Sequence, residues 1–369
     1  MPQNLYAETL LSPGLGVVFQ WRFQNTGYHL LDVLDPESPV HGALRQAIER
    51  FENTVFELAP DKPTLIEWAN SHETLQDAAD RRELRLGSAH VFQQSIELFQ
   101  GMQMMTDREQ DPVRLAAIHH DIGDVMGFIG QRSGSVHFLE QAALSYEQAL
   151  ELRTQDKAPR DWAQTTYNLG VVMQTIGNLQ DDPPMLKQAL ETLKQAVNFL
   201  PREEMPGDWA AALCSVGTVL CQLGTHRRGA RTLEQAVVTY RNALRERTPD
   251  KDRFAWVITQ NNLAATMQAL GEHEEDIGSL EASIPLYDAA LKVLTNDSVP
   301  MIRAMVTANR ASAMCALAGE SDHLDMAESS VAEFEQLATL FDGTEYTRLQ
   351  TAAEGRARGA QELVESLQV

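Results

Sequence analysis

The stretch AAIHHDIGDVMGFIG, residues 116–130, sets two adjacent histidines, His119 and His120, just ahead of Asp121 and Asp124. His90 stands thirty residues before His120. Imidazole nitrogens and carboxylate oxygens are the usual ligands of a divalent transition metal, and a metal-bound water is a ready nucleophile for hydrolysis. A centre of that kind would be built on His120 and Asp121. Whether those side chains converge depends on the elements that carry them.

Those elements repeat. Four of the five tryptophans stand at 68, 162, 209 and 256, so the last three are 47 residues apart and the first is two periods before Trp162. Leu115 fills the missing slot, and Ala69, Ala116, Ala163, Ala210, Val257 and Ala304 follow the six positions. Eight residues past each slot is a small residue (Gly123, Gly170, Gly217, Ala264, Ala311), with Gln76 the departure. The residue before it is Leu75, Ile122, Leu169, Val216 or Leu263, and Arg310 breaks the rule. Ser95, Ala142, Ala189, Ala236, Ser283 and Ser330 form another register, and Phe99, Tyr146, Leu193, Tyr240, Tyr287 and Phe334 follow four residues later.

Each unit reads as two helices. In the third, Asp161 is the expected N-cap, Trp162, Leu169, Val172 and Ile176 recur at helical spacing, and Gly177 is the expected end. Asp181-Asp182-Pro183-Pro184 breaks the chain before MLKQALETLKQAVNFL. Helix axes approach to about 8–10 Å only where side chains at the crossing are small, which places Gly170 and Ala189 at that crossing. The aromatic one turn on, Tyr240 in the fourth unit, is expected between neighbouring units. The expected fold class is all-α: an α-solenoid of tandem helix-turn-helix units with a 47-residue period.

The segments YNLG…LKQALETLKQAV and LEQAVVTYRNALRERTPDKDRFAWVITQNNLA resemble tetratricopeptide repeats, in the long bacterial form with extended loops. The resemblance covers residues 62–341 as six helix pairs. It implies a right-handed superhelix whose first helices line a concave groove, and a non-enzymatic scaffold that binds a peptide or protein segment there. Residues 41–61 echo the second helix of an incomplete unit, with Leu44-Arg45-Gln46-Ala47 matching LEQA. Residues 1–40 fit no register, and GLGVVFQWRF suits a short strand and a buried helix equally. Residues 342–369 read as a capping helix with a polar outer face.

Composition narrows the partners. The 369 residues are 43% apolar, and 30 Lys and Arg stand against 52 Asp and Glu, for a formal charge of −22. Such a surface repels nucleic acid and anionic lipid and favours basic or neutral proteins. The three cysteines, Cys214, Cys221 and Cys315, form no CxxC pair and no even disulfide set. The opening MPQNLYAETL has no basic flank followed by an apolar run, and no run of eighteen apolar residues occurs, so a cytoplasmic location away from membranes is the expectation.

Carried onto this chain, the resemblance puts His120, Asp121 and Asp124 on the groove side of one unit and Glu73, Asp77 and Asp80 on that of the unit before. Residues i and i+4 share a face, so Glu73/Asp77 and His120/Asp124 would stand at matching height and form an acidic mouth. That mouth would select a basic residue or a divalent cation; a hydrated mouth with no ligand is the plainer alternative. Beyond it the lining turns amide-rich. Asn168, Asn262 and Asn309 share one register, and Gln164, Tyr167, Gln174 and Asn261 fall nearby, with Ser215, Gln222 and Gln268. Asparagine donates and accepts, matching the N–H and C=O of an extended peptide, although such residues also bond to neighbouring helices.

The set therefore reads as a peptide-binding groove with no catalytic residue, no metal site and no cofactor. A metal-dependent hydrolase centred on His120 and Asp121, of the phosphohydrolase kind that carries a His…His-Asp pattern, is the alternative. So is a structural protein that self-associates through residues 1–40. No Gly-rich phosphate loop or Ser-centred elbow is found in the sequence.

Overall fold

The computed structural model describes residues 99–104, 106–227, 229–294, 300–343 and 347–368. Regular structure among them is helical throughout. The expectations for residues 1–40 and 41–61, most of the first helix pair, and Glu73, Asp77 and Asp80 lie outside the described residues. The chain divides into two compact units at Pro201–Arg202.

The unit ending at Pro201 contains α1 (Pro112–Ser133), α2 (Val136–Leu152), α3 (Pro159–Leu179) and α4 (Pro183–Phe199), after a helical segment at 99–104. Each packs on the next, and α1 also touches α3. The unit from Arg202 contains α5 (Pro206–Arg227), α6 (Ala230–Ala243), α7 (Arg253–Glu274), α8 (Ile277–Val293), α9 (Pro300–Ser321), α10 (Leu324–Phe341) and α11 (Thr347–Leu367). Again each packs on the next, and the alternate helices α5, α7, α9 and α11 touch in sequence. No described helix is long and apolar enough to cross a membrane.

Local chemistry sets the helix ends. Proline opens α1, α3, α4, α5 and α9, where its missing N–H would have had no helical partner. Asp111, Asp182 and Asp252 cap α1, α4 and α7 by accepting from Arg114, Met185 and Ala255 N–H at 3.0, 3.1 and 2.9 Å. Asp161, the expected cap of α3, instead sits in its first turn behind Ala158, where its charge still meets the positive helix end. Gly177 does not end α3, which runs to Leu179.

The turn after a first helix uses the left-handed region. Gly134, Asp181, Glu275 and Asp322 have φ of 65°, 53°, 53° and 55°. Only one of these is the residue that adopts this backbone without a Cβ clash. Glu275→Gly is expected to stabilise the protein by about 1 kcal/mol, the relief of the left-handed strain less the added freedom of the unfolded chain. Urea denaturation reads that gain.

The helix pairs close on glycine. A Cβ on Gly170 would stand 2.7 Å from Leu193 Cγ, and one on Gly217 2.9 Å from the Tyr240 ring. Gly123 meets Tyr146 in the same way. Thus the partner nearest Gly170 is Leu193 rather than Ala189, and the aromatic Tyr240 sits inside its own pair rather than only between neighbouring units. A second row, Gly130, Gly177, Gly224 and Gly271, faces Leu139, Leu186, Leu233 and Leu280. Arg310, the departure from the apolar register, ties α9 to α8 and α10: its guanidinium donates to Asp288 at 2.6 Å and to Glu333.

Helix α11 adds an apolar stripe. Ala353, Ala357, Ala360 and Val364 of α11 are buried against α9 and α10, in clusters with Ala304, Ala311, Phe334 and Ala318.

Candidate binding face

The site begins with the cluster around His120 and Asp124 on α1. His120 of α1 is fully buried, and its Nδ1 lies 2.9 Å from Thr165 Oγ1 on α3. The Thr165 hydroxyl gives its single hydrogen to the Asp161 carbonyl at 2.7 Å, so towards His120 it accepts, and Nδ1 carries the proton. The other ring nitrogen, Nε2, faces Asp124 Oδ2 at 3.4 Å, one turn along α1. Asp124 Oδ1 accepts from Tyr146 Oη at 2.6 Å and from Asn168 Nδ2 at 2.8 Å. Burial, then the Asp124 charge, push the Tyr146 phenol well above its ordinary pKa and keep it a neutral donor. Arg153, just past α2, also donates to Thr165 Oγ1, at 3.3 Å.

One buried network therefore joins α1, α2 and α3. The partner of His120 is Asp124 rather than Asp121, and Asp121 is itself buried. Among the described residues, no three His, Cys, Asp or Glu side chains are grouped to hold a metal ion. Buried polar groups need partners, and a network that supplies them fixes how the three helices sit.

The unit from Arg202 builds the same arrangement from other residues. Arg247 Nη1 donates to Thr259 Oγ1 at 2.7 Å, Thr259 donates to the Ala255 carbonyl at 2.7 Å, and its hydroxyl lies 3.7 Å from Cys214 Sγ. Thr218 Oγ1 meets Tyr240 Oη at 2.9 Å, and Asn262 lies against the same phenol. Cys214, Thr218, Tyr240, Arg247, Thr259 and Asn262 each follow their counterparts His120, Asp124, Tyr146, Arg153, Thr165 and Asn168 by 94 residues. In the intervening slots Arg gives way to Leu200 and Leu294, and Thr to Ala212 and Val306. The Arg/Thr pair thus recurs once at twice the period of the helix pairs, and Phe341 and Ala353 occupy the slots one double period further on. That signal was present in the sequence at Arg153/Arg247 and Thr165/Thr259, two pairs the expected site did not include.

The remaining amides split between two environments. Asn309 Nδ2 donates to Asn261 Oδ1 at 2.9 Å, and Asn261 Nδ2 donates to Asn262 Oδ1 at 3.1 Å, linking α9 to α7. Asn168, Asn261, Asn262 and Asn309 are all buried, as is Gln174. The structure thus brings the four asparagines into bonds with one another and with Asp124. Gln164 and Tyr167 on α3 are half-buried and keep surface in water.

Farther along α7, Tyr287 Oη donates to Gln268 Oε1 at 3.3 Å, and Gln268 Nε2 donates to Glu272 Oε1 at 2.9 Å. Glu272 keeps more than a third of its surface in water, yet the protein around it pushes its carboxyl up to about 7 from about 4.5. Tyr287 of α8 and Cys315 of α9 are among its ionisable neighbours, both raised by burial first and by the Glu272 charge as well. Between those two pH values the folded protein binds more protons than the unfolded chain, so this group's contribution to stability falls as pH rises. Glu272→Gln is therefore expected to raise Tm relative to wild type at pH 8 and to leave it unchanged near pH 4. Thermal melts at the two pH values check this.

The cysteines show no paired chemistry. Cys214 and Cys221 are buried, Cys315 is half-buried, and all three are free thiols. Desolvation pushes Cys221 up to about 11, away from the thiolate that would react or bind a soft metal. Elsewhere, a cavity of about 460 Å³ beside α1 and α2 is bordered by His119, Gln148 and the exposed pair Arg108–Glu151, 3.0 Å apart. No protein-family model matches the chain, and no curated protein is significantly similar to it.

Proposed function

We propose that this protein is a non-enzymatic interaction scaffold of the tetratricopeptide kind, a right-handed solenoid that acts in the cytoplasm by holding a peptide or protein segment along its first helices. The observation that carries the reading is the contact between alternate helices: α1 with α3, and α5 with α7, α9 and α11 in turn. Within each unit, first helices that adjoin one another make a lining from side chains at equivalent positions. The starts of α1, α3, α5, α7 and α9, at 112, 159, 206, 253 and 300, fall 47 residues apart and support the same reading.

In this proposal the buried amides Asn168, Asn261, Asn262, Asn309 and Gln174 hold the lining helices at fixed height. Gln164 and Tyr167, with surface left in water, touch the ligand. An amphipathic aromatic beside an amide supplies apolar area and a hydrogen-bonding tip together, a combination common at binding surfaces.

Affinity capture from the source organism's lysate tests this, with wild type beside the variant Gln164→Ala/Tyr167→Ala and identification by mass spectrometry. The expected result is a protein retained by wild type and lost by a variant that melts at nearly the wild-type temperature. A partner held equally by both removes the proposed lining from its binding site.

A further inference from the structure

We infer that the cavity beside α1 and α2 binds a neutral planar aromatic group, an indole or a phenol, where later repeats carry an aromatic side chain of their own. This goes beyond the scaffold reading and does not depend on it. Two comparisons within the repeat carry it. One period after Leu115 and Leu152, the slots hold Trp162 and Phe199, whose rings pack edge to face with centroids 5.3 Å apart. Leu115 and Leu152 both border the cavity. Two leucines therefore stand where the next helix pair closes with two aromatic rings.

The second comparison concerns the arginine. One double period after Arg108 and Leu115, the slots hold Arg202 and Trp209. The Arg202 guanidinium carbon lies over the indole, 4.7 Å from its centre, and Glu246 accepts from Arg202 Nη2 at 2.6 Å. Arg108 is held in the same manner, donating from Nη2 to Glu151 at 3.0 Å, but the tryptophan slot holds leucine. The cationic half of a cation–π pair is thus retained beside a cavity of about 460 Å³, a size that suits a small organic ligand.

The lining sets the chemistry of the ligand. Arg108 and Glu151 balance in charge. Burial first, then the Arg108 charge, lower the pKa of His119 against a smaller opposing pull from Glu151, so at pH 7 its ring is neutral. Such a lining offers no net charge to an ion, and the formal charge of −22 disfavours an anion further. An aromatic ring under Arg108 would rest its apolar surface on Leu115 and Leu152. Its N–H or O–H would then find acceptors in Glu151 and the Gln148 amide.

The test uses the full chain and fluoroindole, read by fluorine NMR, in which the protein contributes no signal. Wild type is expected to shift the probe saturably at one site, and unlabelled indole to displace it. Fluorobenzoate, similar in size but anionic, should bind at least about tenfold more weakly. The variant Leu115→Trp/Leu152→Phe installs the residues found one period later. It is expected to melt near the wild-type temperature and to lose at least about tenfold in affinity for fluoroindole. Arg108→Gln, a change at an exposed position, should weaken binding by about two- to fivefold through loss of the cation. Competition with N-acetyl-tryptophanamide assigns the source: displacement as effective as that by indole gives a tryptophan side chain of a bound protein, and displacement by indole alone gives a free small molecule.

No saturable shift with wild type, or equal binding of fluorobenzoate, would overturn the proposal. So would undiminished binding in a folded Leu115→Trp/Leu152→Phe. Should that variant fail to fold, Arg108→Gln decides, and an unchanged affinity there would overturn the proposal as well.

Discussion

Asp124→Ala is expected to destabilise the unit ending at Pro201 by about 3–5 kcal/mol, because it breaks a buried pair and strands its partners. Asp124 faces His120 and accepts from both Tyr146 and Asn168. Alanine removes the acceptor and leaves an imidazole, a phenol and an amide enclosed without it. Removing one member of such a set costs far more than replacing the set as a whole. The chain contains its own replacement, since the equivalent slots one double period on hold Cys214 and Thr218, and Thr218 still meets Tyr240. The double variant His120→Cys/Asp124→Thr is therefore expected to lose less than about 1.5 kcal/mol, within the range of a tolerated core exchange. Urea denaturation of the two variants beside wild type decides it. If alanine is as mild as the double exchange, the network does not hold α1, α2 and α3 together.

The second large effect concerns the glycine rows. Leu233→Ala is expected to destabilise the unit from Arg202 by about 2–5 kcal/mol through loss of a fully buried side chain. Gly224→Ala should cost about 1–3 kcal/mol, because its Cβ would stand 2.7 Å from Leu233 Cδ2 and 3.2 Å from the Leu233 backbone nitrogen, which no rotamer change moves. The two together should cost less than their sum, by about 0.5–3 kcal/mol. The chain makes this exchange itself at Ala318 and Ala327, where both slots are alanine and Val364 of α11 packs into the cluster. Additive costs in the double-mutant cycle would show that the glycine and the leucine do not share one space.

How much of this was legible in the sequence follows from what a period can encode. Gly170, Gly217 and the Tyr146/Tyr240 slots repeat at 47 because close packing constrains their size, and size is read directly from residue type. The helix pairs were visible for that reason. Which neighbour a polar side chain chooses is not set by size. Asn168 and Asn309 offer the same donor and acceptor to a peptide as to an adjacent helix, and in the structure their amides donate to Asp124 and Asn261.

Arg153 and Thr165 are not legible singly, because arginine and threonine are ordinary surface residues; only their recurrence at Arg247 and Thr259, with Leu200 and Ala212 between, marks them as interior. Asp181 lies in the expected break before α4, but its left-handed backbone, like that of Glu275, is not legible in the sequence, since residues other than glycine seldom adopt positive φ. Glu272 lay outside the expected acidic mouth, and its place at the end of the Tyr287–Gln268 relay depends on three side chains brought together from two helices.

The central claim is that a partner lies along the first helices. Hydrogen–deuterium exchange of the full chain, with and without the captured partner at saturation, tests it most directly. The account predicts added protection confined to peptides from first helices, including 159–179 and 253–274, with the second helices at 183–199 and 277–293 unchanged. Protection concentrated on those second helices, or none on the first, would contradict it.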